Sequence, residues 1–150
     1  MSEDRTITVN RKARFEYDIA DSLEAGLVLT GSEIKAIREG RVNLSDAYAR
    51  PHNGEMWLHN AHIAQYSASG PHNNHEPKRP RKLLLRKEQI SELTRHVSEK
   101  GRTIVPLKLY ITRHVAKVEL GLATGRKKYD KRRAIMDRER EREAQQAIRR

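Results

Sequence analysis

The side chains that could do chemistry here are histidines and carboxylates: seven histidines, twenty Asp/Glu and no cysteine. His59 and His62 are three apart, which on a strand puts them on opposite faces. His72 and His75 sit next to Glu76 and form a candidate ligand set, but they lie in residues 67–80 (SASGPHNNHEPKRP), a stretch expected to be a mobile loop. Zinc needs three or four fixed ligands, and no thiolate is available to complete such a site. Surface polar residues or contacts to phosphate explain these histidines more simply. Glu24 and Glu33 could be read as an acid–base pair, but nothing brings a nucleophile or a raised pKa to either. The glycines of 121–127 look superficially like a phosphate loop. They are too closely spaced, and no Lys-Ser/Thr opens a helix after them. The expectation is therefore no catalytic residue, no metal and no cofactor.

What remains is binding chemistry. Thirty-one Lys/Arg against twenty Asp/Glu leave a net charge of +11, with a pI near 10.2. Such a balance implies an anionic partner, RNA, DNA or a membrane surface. The longest aliphatic run is Leu83-Leu84-Leu85, so no membrane association is expected. Met1-Ser2-Glu3-Asp4-Arg5 has no apolar h-region, and the absence of cysteine fits a reducing cytoplasm. Tyr17, Tyr48, Trp57, Tyr66, Tyr110 and Tyr129 are scattered among the cations. That mixture suits an RNA-reading surface, although most of the rings serve equally well as core.

The charge is concentrated at the C-terminus. From Arg126 to Arg150 there are eleven Lys/Arg and five Asp/Glu, and the few apolar residues form no sustained helical stripe. A segment that buries so little is expected to be disordered or only nascently helical when free. Its Arg, Glu, Ala and Gln favour helix once a partner is met. In 137–143, Asp/Glu and Arg alternate, so unlike charges fall at i+3 and like charges at i+4. These pairs nearly cancel, leaving the helix poised.

The elements that must position a binding surface come from residues 13–124. Residues 1–12 read as a flexible N-terminal arm, and 125–150 as the basic tail. Residues 15–19 alternate as a strand, 27–30 read as another, and Gly26 signals a bulge or close backbone approach. Residues 32–40 read as a short helix with Ser32 as N-cap and Gly40 as stop. Asn53-Gly54 marks a hairpin within a β region over 42–63. Residues 87–100 carry Ile90, Leu93 and Val97 at helical spacing before Gly101. A second hairpin covers 102–122, with Pro106 expected at an edge or bulge. The result is a mostly β chain with inserted helices, expected to close as an oligonucleotide-binding (OB) type barrel. Composition and pattern alone leave a ribosomal protein and an RNA chaperone equally supported.

Several motifs are more specific. Asn10-Arg11-Lys12-Ala13-Arg14, residues 24–35 (EAGLVLTGSEIK), residues 43–48 (NLSDAY), His75-Glu76-Pro77, Arg81-Lys82-Leu83-Leu84-Leu85 and residues 121–132 (GLATGRKKYDKR) together resemble the SsrA-binding protein (small protein B) family. The resemblance covers about residues 10–143. It implies a bacterial cytoplasmic adaptor that acts as a monomer, without enzymatic activity. Such an adaptor binds the tRNA-like domain of transfer-messenger RNA and carries it to ribosomes stalled on non-stop messages, for trans-translation and peptide tagging.

Carried onto this chain, the resemblance implies an RNA-facing set of Asn10, Arg11, Lys12, Glu24, Gly26, Glu33, Lys35, Asn43, Lys82 and Leu84. Lys and Arg would neutralise phosphate, the Asn amides would pair with ribose or base edges, and Glu24 would accept from a base amino group or a 2′-OH. The tail is implied to enter the empty decoding site and messenger channel of the small subunit. Gly125 would be the hinge, Arg126, Lys127 and Lys128 would grip ribosomal RNA, and Tyr129 would stack on a base. Asp130, Lys131 and Arg132 would follow as the signature contact, with Ile135 and Met136 on the face toward the channel wall. Some relatives have His where this chain has Tyr129, and Tyr cannot become cationic. The rival readings are a ribosomal structural or assembly protein with a basic extension and, more distantly, a histidine–metal nuclease.

Overall fold

The structure, a computed structural model, describes residues 5–70, 72–125 and 135–144. Nine strands and three helices follow in the order β1 (Arg5–Val9), α1 (Arg11–Glu16), β2 (Tyr17–Leu27), α2 (Gly31–Arg38), β3 (Val42–Asn43), β4 (Tyr48–His52), β5 (Glu55–His59), β6 (His62–Ile63), β7 (Arg81–Leu84), α3 (Lys87–Lys100), β8 (Thr103–Thr112) and β9 (Val115–Gly125). A further helix, α4, covers residues 135–144. The chain is mostly β with few helices, as its pattern predicts.

All pairings are antiparallel. β8 pairs with β4, β4 with β5, β5 with β7, β7 with β2, β2 with β9, and β9 with β8 again. β1 adds to β8 from Arg5–Ile111 to Val9–Lys108, and β3 pairs with β6 as a small separate sheet. Inside this circuit of pairings, Ala25, Leu27, Met56, Leu58, Leu83, Ile104, Leu109, Val118 and Leu120 form one core with Ile37 of α2 and Leu93 of α3. A smaller cluster of Val105, Leu107 and Ala123 lies under Ala13 of α1, with Tyr17 and Ile19 beside it.

Several local expectations change. Residues 5–9, expected within a flexible arm, are a strand because β8 offers an open edge beyond its contact with β4. Phe15 is helical rather than in a strand. Asn10 caps α1, its side chain accepting from the Ala13 N–H at 3.1 Å, and a five-residue alternation is too short to outweigh that cap. A single strand, β2, runs from Tyr17 to Leu27 across both sides of Gly26, so of the strand expected over 27–30 only Leu27 is extended in a ladder, and the bulge lies between Ile19 and Asp21 instead. Gly26 is the close approach: a Cβ there would come within 3.2 Å of the Leu84 Cβ.

Helix α2 is capped by Thr30, not Ser32. Thr30 Oγ1 accepts from the Glu33 N–H, and Glu33 Oε1 accepts from the Thr30 N–H at 2.8 Å, forming a reciprocal capping box. Asn53 and Gly54 both take positive φ (51° and 75°) in the β4–β5 turn, as Asn-Gly predicts. Gly101 ends α3 in the left-handed region. Pro106 borders the register shift in the β8–β9 hairpin, the kind of position a proline takes within a sheet.

The stretch 67–80 is pinned rather than mobile. Asn74 donates to the Tyr66 and Gly70 carbonyls and accepts from the Tyr66 N–H. His75 is buried, with Nε2 donating to the Ile63 carbonyl at 2.8 Å and Nδ1 hydrogen-bonded to Ser32 Oγ at 2.8 Å. Both ring nitrogens are thus engaged, which removes His75 from any ligand set with His72. Among the described residues, no group of three or more His, Asp or Glu is placed to hold a metal ion. No described helix is long and apolar enough to cross a membrane.

Candidate nucleic-acid interface

Alternation along β2, β7, β8 and β9 places polar and charged side chains on the outer face of the sheet. Register then brings residues far apart in sequence side by side. Gly26 lies opposite both Leu84 and Lys117, and Lys117 lies opposite Tyr110. Leu84, 55% exposed, packs over the bare backbone of Gly26. Beside them Glu24 accepts from Lys117 Nζ at 2.7 Å and from the Tyr110 hydroxyl. These bonds, Lys117 first and Tyr110 second, hold the Glu24 carboxyl below its usual range, so it is an anionic acceptor at neutral pH. Lys108 Nζ sits 5.2 Å from the centre of the Tyr110 ring and 3.6 Å from Glu119. Carboxylates set among lysines, with an exposed leucine over a glycine, offer phosphate contacts, anionic acceptors and an apolar patch.

A second group lies at α1 and the β3–β4 loop. Lys12 Nζ donates to Asp46 Oδ1 at 3.0 Å, which raises the Lys12 pKa and lowers that of Asp46. Asn43 is exposed, its side chain accepting from the Ser45 N–H at 2.8 Å. Arg11 is exposed on α1. Asn10 holds this group in place: its Nδ2 donates to the Leu44 and Pro106 carbonyls at 3.0 and 2.8 Å. A third position, Lys35 on α2, lies 5.5 Å from the Tyr66 ring centre.

Of the residues expected to face RNA, Arg11, Lys12, Glu24, Lys35, Asn43 and Leu84 are exposed, while Gly26 and Lys82 are partly so. Lys82 pairs with Glu55 at 3.1 Å. Asn10 and Glu33 are buried, and their side chains are engaged with protein groups. Asn10 spends its amide on the backbone. Glu33, fully buried, receives Arg81 Nε at 2.5 Å and Arg79 Nη2 at 2.5 Å. Arg81, equally buried, also donates to the Ala61 and Pro77 carbonyls. Burial pushes the Glu33 pKa up, but bonds from Arg79, the Thr30 N–H and Arg81 outweigh it and hold the group ionised. This network ties α2 to β7 and to residues 77–79.

Sequence reasoning named Tyr110 only among the aromatics scattered between cations, and it missed Lys108 and Lys117 as members of this face. The alternation that puts Leu109, Val118 and Leu120 inward already turned Lys108 and Lys117 outward. Nothing in the sequence, however, put Glu24 alongside them. Gly125 ends β9 opposite Tyr17. Arg126, Lys127, Lys128, Tyr129, Asp130, Lys131 and Arg132 lie outside the described residues. Ile135 and Met136 are in α4, 44% and 53% exposed.

The family model for SmpB protein matches residues 7–150. The chain belongs to the SmpB protein family. SsrA-binding proteins of Thermobifida fusca and Bacillus cytotoxicus are 53% and 52% identical to it, each over 97% of this chain and over 91% and 93% of their own lengths. That of Gloeothece citriformis is 51% identical over 97% of this chain. A chain of the solved structure "tmRNA-SmpB: a journey to the center of the bacterial ribosome" superposes with a TM-score of 0.68 at 45% identity, covering 81% of this chain and 85% of that one. SmpB membership thus extends across the outer face, the α1 group and the tail.

Proposed function

We propose that this chain is a non-enzymatic, cytoplasmic RNA-binding adaptor for ribosome rescue, which binds the tRNA-like domain of transfer-messenger RNA and delivers it to stalled ribosomes for trans-translation. The observation that carries this reading is near-full-length identity of about half with proteins named SsrA-binding protein, together with likeness to a tmRNA–SmpB structure. The circuit of strand pairings supports a closed, OB-type barrel as the platform. On it, Arg11, Lys12, Glu24, Gly26, Lys35, Asn43, Lys82 and Leu84 face the RNA, joined by Lys108 and Lys117, while Asn10 and Glu33 hold the surface in shape.

The tail from Gly125 onward is the ribosomal module, with Arg126, Lys127 and Lys128 on ribosomal RNA, Tyr129 stacked in the decoding site, and Asp130, Lys131 and Arg132 beyond it. All of α4 is exposed. A helix whose ten described residues are all exposed is marginal in water. Its stability in place comes from a channel wall against Ile135 and Met136. The deciding experiment is recovery of RNA bound to the chain from its own cells. Transfer-messenger RNA enriched over ribosomal RNA is expected. Ribosomal RNA alone, from vacant ribosomes, would replace this reading with that of a ribosomal structural or assembly protein.

A further inference from the structure

The outer face of the β4–β5 hairpin carries side chains to which the adaptor reading gives no task. Register places Tyr48 opposite His59 and Arg50 opposite Trp57, and Trp57 opposite Lys82 on β7. Ala49, Met56 and Leu58, between them in the strands, point into the core, so these side chains share the solvent face. The Tyr48 and His59 rings stack, with centroids 5.4 Å apart and planes at 15°. Trp57, His59, His52, Arg50 and Pro80 line an open recess of about 490 Å³. That is within the range of small-ligand sites.

Burial lowers the His59 pKa, and the neighbouring Arg50 and His52 lower it further. The ring is therefore neutral at physiological pH and presents a flat heteroaromatic face. Trp57 has Arg50 on one flank and Lys82 on the other, and Lys82 is already paired with Glu55. Arg50 is exposed. A purely apolar ligand would not use Arg50, and a lone phosphate would not use the ring faces. An unpaired nucleotide uses both.

We propose that this face is a stacking platform for one unpaired RNA nucleotide, its base on Trp57 and its phosphate on Arg50. The inference rests on the RNA-binding reading and adds a subsite to it.

Trp57 is the chain's single tryptophan, so its fluorescence reports the site directly. Titrating a short single-stranded oligoadenylate into the full chain is expected to quench Trp57 saturably, with little quenching by a duplex of the same length. Arg50→Ala, at an exposed side chain, should weaken that binding several-fold and reduce the log–log salt slope by about one. Binding of labelled oligoadenylate, followed by anisotropy, should weaken about ten-fold in Trp57→Ala and largely recover in Trp57→Phe. Absence of quenching, or quenching equal for duplex and unaffected by Arg50→Ala, overturns the platform. If transfer-messenger RNA still copurifies in that event, the adaptor reading stands without it. Saturable quenching by oligoadenylate with no copurifying transfer-messenger RNA would instead leave the platform and remove the adaptor reading.

Discussion

Glu33 shows how a residue's role is decided by what surrounds it. As a glutamate three residues after Thr30 it reads as a first-turn carboxylate, and it does close the capping box. The same carboxylate, itself fully buried, also meets buried Arg81 and part-exposed Arg79, more than forty positions away. Because its folded pKa is depressed, the unfolded chain takes up the proton first as pH falls. The stability its ionisation contributes is complete above the ordinary value of about 4.3 and is lost as pH drops through the lower folded value. Urea midpoints measured from pH 7 down to pH 3 should show this acid limb. Glu33→Gln should be less stable at pH 7 and have a flatter limb. Arg81→Met, which leaves the buried carboxylate one arginine short, should cost about 3–5 kcal/mol in the same assay.

At the scale of elements, short helices and strands survive through caps and packing rather than length. α2 has two turns, and its N-terminus is held by Thr30 and Glu33 reciprocally while Ala36 and Ile37 enter the core. Thr30→Ala should destabilise the chain by about 1 kcal/mol in chemical denaturation, and Thr30→Ser should restore most of it. β9 makes a different demand. Gly121, which resembles part of a phosphate loop in the sequence, lies where a Cβ would come 2.9 Å from Leu107 Cδ1 and 3.1 Å from Ile19 Cγ2. Its glycine serves packing at the small second core, where α1 closes over the outer face of β8 and β9.

For the whole molecule the deciding quantity is charge. The residues after Gly125 carry six of the eleven net positive charges, and the rest of the chain bears its own lysine-rich outer face. Truncation after Gly125 should therefore leave binding to the tRNA-like domain within several-fold of the full chain. It should also abolish peptide tagging of stalled ribosomes. Gel-shift titration and a tagging assay on the same truncated chain check both halves. An equal loss in both would mean that platform and tail act as one module.

The features legible in the sequence are those set by local chemistry. The Asn53-Gly54 turn, the α3 period ending at Gly101, the bulge beside Pro106 and the inward alternation at Leu109, Val118 and Leu120 all follow from backbone preferences and side-chain spacing over a few residues, whereas that bulge moves Leu107 into the second cluster. The basic tail and the family motifs were equally local. Tertiary structure decided what depends on register and on distant partners. It made residues 5–9 a strand by offering the free edge of β8, and it turned the apparent loop of 67–80 into a segment held by Asn74, His75 and Arg79. It took Asn10 and Glu33 off the surface, and it set Glu24 between Lys117 and Tyr110. The physical reason is common to these cases. A buried polar group must find its partner wherever the fold supplies one, and short-range pattern carries no record of that distance.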